Sequence, residues 1–321
     1  MEASAARHPP GGHGGPPELS VVFLGTGARW PTPERGVAAA VVCRGSEHLL
    51  VDCGEGTQRQ MMLSTPGLRR LSVVLITHCH PDHTLGLPGL IATLSGSRDD
   101  TLTVLGPRGV VELLAGFRIH FGRLDYPLDV REVEPGGIER RDGYRLIALS
   151  GRHDCPALGW ALAEDPLPGH LSPAAPDGAG VPPDGVRGPA RRGRRLVFSG
   201  DTRPAPAIER AAAGADLLVH EATFLERDRL LADESGHSTA AQAAALAGRA
   251  GVAMLALTHR SSRYTREEAL AEAAAVFRST VAPRDLDAIE VPLPEHGPPR
   301  LIPGGGAVRN RVSSPPARPD R

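Results

Sequence analysis

The stretch Leu75–Leu90, LITHCHPDHTLGLPGL, ends an apolar run with three histidines and an aspartate inside six residues. His78 and His80 are two positions apart, so their side chains point the same way where the backbone stays extended. A proline then forces a turn before Asp82 and His83. Imidazole nitrogens and carboxylate oxygens are ligands that Zn²⁺ accepts. The stretch therefore predicts a metal site where a buried strand ends.

Apolar runs, turns and Ala-rich segments alternate along most of the chain. Nine runs predict strands, at 19–27, 38–45, 48–56, 71–78, 101–107, 144–151, 194–201, 216–224 and 253–261. Helices are predicted around 84–95, 108–116, 205–213, 238–250 and 265–278. Strands that end in polar clusters, with helices between them, favour an α/β layered fold with its site at the strand ends.

Three later polar residues, His153, Asp201 and His259, also follow predicted strands. Alone, each could be a capping aspartate or a surface histidine. Together with the first cluster they could hold two cations. One grouping assigns to the first zinc His78, His80 and His153, and to the second Asp82, His83 and His259. Asp201 has two carboxylate oxygens and could bridge the pair, and a hydroxide between the cations would be ionised near neutral pH.

Composition limits the classes of partner and of compartment. The formal net charge is -1, which predicts no global attraction to nucleic acid or membrane. A polyanionic partner would therefore have to bind a local patch of positive charge. The four cysteines form no CxxC pair, which favours a reducing cytoplasm over a disulfide framework. We expect neither a signal peptide nor a membrane span, because no suitable apolar run occurs.

The domain organisation follows from shifts in composition. Residues 1–17 predict a disordered leader, 18–296 a folded domain and 297–321 a disordered tail. One segment, 165–195, is rich in Pro and Gly and ends in an arginine cluster. Such a long structureless segment inside a domain is uncommon; it is either a solvated flexible loop or a functional insertion.

Several strings resemble, in the same order, those of the ribonuclease Z family, the transfer-RNA 3′ processing endonucleases of the metallo-β-lactamase superfamily. They are FLGTGARWPTPERG, VDCGEGTQRQM, THCHPDHTLGLPGL, HDCPALGWALAEDPLPG, SGDTRP, HEATF, GHSTAAQAA and LTHRSSRY. The histidine motif by itself indicates only the superfamily. The HEATF, HST and SSRY blocks narrow the resemblance to the ribonuclease Z family. The resemblance covers about residues 18–280. One departure is Pro81, where the family usually has glycine.

The resemblance implies a metallo-β-lactamase-type αβ/βα sandwich with two Zn²⁺ at the strand ends, in the ligand grouping given above. Mn²⁺ or Fe²⁺ would also suit nitrogen and oxygen ligands. Asp52 resembles an outer aspartate that orients a metal-binding histidine; alternatively it forms a turn. The implied protein is a cytoplasmic homodimer whose partner is precursor transfer RNA.

The implied reaction is zinc-dependent endoribonucleolytic removal of 3′ trailers from precursor transfer RNA. A metal hydroxide would attack the phosphodiester, leaving a 3′ hydroxyl on the transfer RNA and a 5′-phosphomonoester on the trailer. Asp82 is a candidate general base. His237 resembles the family's general acid, supported by Glu221. The alternatives are a helix cap for His237 and a buried ion pair for Glu221.

RNA binding is predicted at the arm and beside the site. Segment 165–195 stands where the family carries a protruding arm that binds transfer RNA, and it looks shortened by comparison. This arm could still bind phosphates by charge through Arg187, Arg191, Arg192, Arg194 and Arg195. Arg263 and Tyr264, in the SSRY block, could contact RNA phosphate or support the loop of His259. A shortened arm leaves an alternative function, a dinuclear-metal hydrolase of small phosphodiesters or other esters. A non-catalytic binder is disfavoured because all seven candidate ligands are present.

Overall fold

The computed structural model describes residues 18–169 and 188–304, which form two stacked β-sheets with helices on both outer faces. The strands are β1 (Leu19–Gly25), β2 (Ala39–Arg44), β3 (Glu47–Val51), β4 (Leu71–Leu75), β5 (Leu102–Gly106), β6 (Leu128–Glu132), β7 (Ile138–Arg141), β8 (Tyr144–Ser150), β9 (Leu158–Glu164), β10 (Arg195–Phe198), β11 (Leu217–Glu221), β12 (Met254–Thr258), β13 (Thr280–Val281), β14 (Ala288–Glu290) and β15 (Arg300–Ile302). One sheet has the order β15-β14-β1-β2-β3-β4-β5-β6 and the other β13-β12-β11-β10-β9-β8-β7.

The helices lie outside the sheets. They are α1 (Thr57–Leu63), α2 (Pro81–Thr84), α3 (Leu87–Leu94), α4 (Val110–Phe121), α5 (Pro206–Ala212), α6 (Arg229–Ser235), α7 (Ala240–Ala250) and α8 (Arg266–Val276), with 3₁₀ turns at Glu226–Asp228 and Pro294–His296. None of the helices in the described ranges has the length and apolar character needed to cross a bilayer.

The main core fills the space between the two sheets. Phe23 and Leu49 from the first sheet meet Trp160 and Phe198 from the second. Burying each of these side chains stabilises the fold by about 1.5–3 kcal/mol. The indole N–H of Trp160 also donates to the carbonyl of Ile76 at 3.1 Å. This bond ties the second sheet to the strand end that leads into the histidine cluster.

Two further apolar layers complete the sandwich. Leu90 and Leu114 belong to the layer that packs α3 and α4 on the first sheet. Ile208 and Leu246 belong to the layer that packs α5 and α7 on the second. The arrangement is the αβ/βα sandwich expected from the sequence.

Strand direction explains why the predicted ligands can meet. Strands β3 to β6 are parallel neighbours, as are β10 to β13. Strand β9 is antiparallel to both β8 and β10, so β8 runs the same way as β10 to β12. The carboxyl ends of parallel strands lie at one edge of a sheet. The residues that follow β8, β10 and β12 therefore lie at one edge of the second sheet, and the contact of His80, after β4, with His153, after β8, brings the end of β4 to that same edge.

All nine predicted strands are present, but the sequence reading missed six others, β6, β7, β9 and β13 to β15. The last three have only two or three residues, too few to show the two-residue alternation of apolar and polar side chains that marks a strand. The tail prediction is wrong at its start, because Arg300–Ile302 pairs antiparallel with Ala288–Glu290. The predicted helix at 84–95 is interrupted between α2 and α3. The leader at 1–17, the stretch 170–187 of the arm and residues 305–321 lie outside the described residues.

Candidate active site

The seven predicted ligands lie together at the strand-end edge of the sandwich. His78 and His80 follow β4, and Asp82 and His83 lie in the single turn of α2. Their partners from the second sheet are His153 after β8, Asp201 after β10 and His259 after β12. The structure therefore brings together side chains that are up to 181 positions apart in the chain.

The first group consists of His78, His80 and His153. Nε2 of His78 lies 3.0 Å from Nδ1 of His80, and that nitrogen lies 3.4 Å from Nε2 of His153. The other ring nitrogen of His153 donates to the carbonyl of Gly236 at 2.8 Å. A side chain at Gly236 would collide with this imidazole, since its Cβ would lie 2.7 Å from Nδ1 of His153.

The second group consists of Asp82, His83 and His259. Nε2 of His83 lies 3.3 Å from Nε2 of His259, which is 3.2 Å from Oδ2 of Asp82. Asp201 lies between the two groups. Its Oδ2 atom is 3.8 Å from Nε2 of His78, 3.4 Å from that of His83 and 3.2 Å from that of His259.

This donor set fits divalent cations. Nitrogen ligands placed 2.0–2.1 Å from a tetrahedral Zn²⁺ lie about 3.3 Å from one another, which is the spacing seen within both groups. Burial alone would lower the pKa of His83, but the carboxylates of Asp201 and Asp52 raise it well above its usual value. A cation that takes the place of this proton would satisfy the same carboxylates.

Groups behind the predicted ligands hold them by hydrogen bonds and by an unusual backbone conformation. Oδ2 of Asp52 lies 2.8 Å from Nδ1 of His83, while Oδ1 of Asp52 accepts the backbone N–H of Thr77 at 2.8 Å. Among described non-glycine residues with positive φ are Arg29 (69°), Asp52 (58°) and His259 (49°). Such backbone conformations cost about 1–3 kcal/mol each and persist where surrounding contacts hold them. All three residues lie at this site.

A buried carboxylate and a partly buried histidine form a pair beside the second group. Nδ1 of His237 lies 2.9 Å from Oε1 of Glu221. Burial alone would lower the pKa of His237, but the charge and hydrogen bond of Glu221 raise it to about 9. Glu221 is held by the backbone N–H groups of Thr202 and Thr223, at 2.9 and 3.1 Å. The carboxylate of Glu221 thus favours the protonated form of His237.

His237 does not cap the helix that follows it. The N-cap of α7 is Thr239, which forms a reciprocal capping box with Gln242. The hydroxyl of Ser238 donates to the carbonyl of Thr202 at 2.7 Å. These contacts anchor the turn and aim His237 at the ligands, with its ring stacked 5.5 Å from that of His259.

The ligands open into a cleft of about 380 Å³. Its lining includes His80, Asp82, His153, Asp201, His237 and His259, together with Trp30, Phe224 and Arg263. Arg263 is exposed at this cleft. Tyr264 is buried instead, and its hydroxyl donates to Asp228 at 2.5 Å, so it supports the loop.

The arginines of the predicted arm differ in their surroundings. The side chain of Arg194 is only 3% exposed and forms a bidentate pair with Glu164 at 2.7 and 2.8 Å. A guanidinium in that position cannot reach a nucleic-acid phosphate, which corrects the prediction for Arg194. Arg191 pairs with Glu295 and Arg192 with Asp216.

Arg195 donates through its guanidinium to the carbonyl of Ala213 at 3.0 Å. Arg187 lies outside the described residues. In the described part of the arm, an RNA phosphate would therefore have to compete with protein oxygens for each of these guanidinium groups.

Sequence reasoning missed several groups that hold the site. The hydroxyl of Thr223 lies 2.7 Å from Oε2 of Glu221 and 2.9 Å from Nδ1 of His259, so it links the two. The position of Thr223 inside the HEATF block is the sequence signal by which it could have been found. Asp154, whose Oδ1 lies 3.1 Å from Nε2 of His153, directly follows that histidine in the sequence.

Comparisons with known proteins agree with this geometry. The model of the β-lactamase superfamily domain matches residues 47–260. A ribonuclease Z from Methanosarcina acetivorans is 40% identical over 300 residues, covering 85% of this chain and 98% of that protein. One from Archaeoglobus fulgidus is 37% identical over 303 residues, covering 86% and 99%.

Solved structures agree as well. The crystal structure of the short form of human tRNase Z matches with a TM-score of 0.67 at 27% identity, covering 85% of this chain and 99% of that one. The metallo-β-lactamase fold protein YhfI from Bacillus subtilis has the same TM-score at 19% identity, covering 85% and 99%, which supports the fold alone.

Proposed function

The chain belongs to the ribonuclease Z family of the metallo-β-lactamase superfamily, and from this premise we propose that it removes 3′ trailers from precursor transfer RNA. It is a hydrolase, an endoribonuclease that cleaves a phosphodiester. The observation that supports the proposal is that His237, the candidate proton donor, lines the same cleft as two groups of candidate metal ligands, between which Oδ2 of Asp201 lies.

The proposed cofactor is a pair of Zn²⁺ ions, with Mn²⁺ or Fe²⁺ as alternatives of similar ligand preference. His78, His80 and His153 would hold one ion, and Asp82, His83 and His259 the other, with Asp201 shared. When bound, the ions would lower the pKa of a water molecule and neutralise charge on the phosphodiester oxygens. Asp52 would keep the imidazole of His83 aligned, since it already contacts Nδ1.

The proposed proton transfers use groups of the chain itself. Asp82 would accept the proton of the attacking water. As the P–O3′ bond breaks, His237 would donate its proton to the leaving 3′ oxygen, which leaves a 3′ hydroxyl on the transfer RNA and a 5′ phosphate on the trailer. Glu221 is buried against His237 and would stabilise its protonated form.

Substrate binding, assembly and location complete the proposal. Arg263 at the cleft, and Arg187, Arg191, Arg192 and Arg195 of the arm, are the proposed phosphate contacts; Arg194 is left out because it is buried. We also propose a cytoplasmic homodimer. Support for the cytoplasm comes from the four cysteines, all of which are free thiols. Sedimentation equilibrium of the purified chain tests the dimer.

The test is cleavage of a precursor transfer RNA with a 3′ trailer, compared with a small chromogenic phosphodiester. We expect a single cut with a 3′ hydroxyl on the transfer RNA, and about two metal ions per chain by elemental analysis. Cleavage of the small diester alone would instead favour a hydrolase of small phosphodiesters. Intact precursor and intact diester at full metal loading would reject both functions.

A further inference from the structure

One large aromatic side chain stands partly in solvent at the mouth of the cleft. Trp30 is 52% exposed and lines the same cleft as His80, Asp82 and His237. An exposed indole leaves a large apolar face in water, and a ligand that covers it gains the free energy of its burial. The other residues that line the cleft are mostly of polar types, and this face suits a flat, partly apolar ligand.

The loop that carries Trp30 is held firmly to the metal ligands. The backbone N–H of Arg29 donates to Oδ2 of Asp82 at 2.7 Å, and that of Trp30 donates to the carbonyl of Ala28 at 2.8 Å. The guanidinium of Arg35 fastens the far side of the loop to the carbonyl of Arg260 at 3.0 Å. Arg29 keeps a positive φ of 69° despite its cost. The backbone that carries the indole is therefore fixed relative to Asp82.

A cationic group accompanies the ring. The guanidinium carbon of Arg29 lies 5.0 Å from the centroid of the Trp30 ring, and both side chains are exposed. An aromatic face stacks on a nucleobase, and a guanidinium binds a phosphate. The pair thus presents, side by side, the two chemistries that a single nucleotide offers.

We propose that Trp30 is a stacking platform for the base of a nucleotide next to the scissile phosphate, with Arg29 facing the phosphate of that nucleotide. The inference rests on the proposed function and adds a residue that sets substrate affinity. Every base has a π face, so the platform accepts any sequence and favours larger rings. Its effect depends on the presence of a base and is independent of the metal ligands.

The experiment compares wild type, Trp30→Ala and Trp30→Phe on precursor transfer RNAs that carry an ordinary or an abasic nucleotide on either side of the cut. Ile119→Ala is the matched control, because Ile119 is 85% exposed on α4 and does not line the cleft. Metal content of each variant reports whether the site is intact. A stacked base contributes about 1–3 kcal/mol, so Trp30→Ala should lose about 5- to 160-fold in kcat/KM on the ordinary precursor.

The base dependence decides the proposal. On the precursor whose stacked base is missing, wild type and Trp30→Ala should have equal kcat/KM, because the platform has nothing to hold. Trp30→Phe should retain most of the activity on the ordinary precursor. The proposal is overturned if Trp30→Ala has the same kcat/KM as wild type on the ordinary precursor. It is also overturned if the loss in Trp30→Ala is the same on the ordinary precursor as on each of the two precursors that lack a base beside the cut. If wild type itself leaves every precursor uncut, the proposed function is what fails.

Discussion

Replacing Glu221 with glutamine tests whether this carboxylate keeps His237 protonated for catalysis. Glutamine keeps the shape of the side chain and removes its charge. With the pKa of His237 at about 9, about 90% of the imidazole is protonated at pH 8. Without the charge, a pKa near the ordinary value of about 6.5 leaves about 3% protonated at that pH. We therefore expect kcat to fall about 30-fold at pH 8 if the protonated form is the proton donor.

The sign of the pH dependence is the diagnostic feature. Activity that needs protonated His237 declines as pH rises through its pKa, and the substitution moves that decline to lower pH. At pH 6 about three quarters of the imidazole is still protonated in the variant, so the loss there should be less than about twofold. The other titratable groups around the ring, which both proteins share, are Asp201, His83, His153 and His259.

The assay is single-turnover cleavage of a trailer-bearing precursor between pH 6 and 8.5, expressed as the ratio of variant to wild type so that shared ionisations cancel. His237→Gln is the companion variant; removing the donor itself should cost about 10²- to 10⁴-fold. The double variant, Glu221→Gln with His237→Gln, should cleave only slightly more slowly than His237→Gln alone, because the two side chains act as a unit. A loss in Glu221→Gln that is equal at pH 6 and pH 8 would refute this role of the carboxylate.

Three further predictions concern stability and metal binding. Arg194→Ala should lower the free energy of unfolding by about 1–3 kcal/mol in urea titrations, since the buried carboxylate of Glu164 loses its bidentate partner and keeps only its ion pair with Arg44. An unchanged salt slope of RNA binding would separate this role from a phosphate contact. Asp201→Ala should reduce the metal content to about one ion per chain or fewer after gel filtration, because both groups share its Oδ2 atom; two retained ions would contradict the shared position. Thr239→Ala should destabilise the fold by about 1 kcal/mol, because α7 loses its N-cap. Thr258→Ala is the comparison at a threonine outside any cap, and a melting temperature of Thr239→Ala equal to that of wild type would contradict the prediction.

The chain's local patterns determined much of what the structure contains. Apolar runs predicted nine strands, and the polar residues after them predicted a cluster of side chains at the strand ends, because a strand's burial and its end are properties of neighbouring residues. The histidine motif with its downstream partners, joined by the family resemblance, indicated the fold and the class of reaction. The capping box of α7 is also visible in the letters STAAQ.

Tertiary structure decided the features that depend on distant partners. The pairing of Arg194 with Glu164, the link from Thr223 to His259 and the position of Trp30 beside Asp82 arise only when two sheets stack and their edges meet. The same guanidinium would bind phosphate in solvent and a carboxylate in the interior, so its letter does not reveal which. Which side chains are buried together depends on packing between segments far apart in the chain, and no local pattern encodes it.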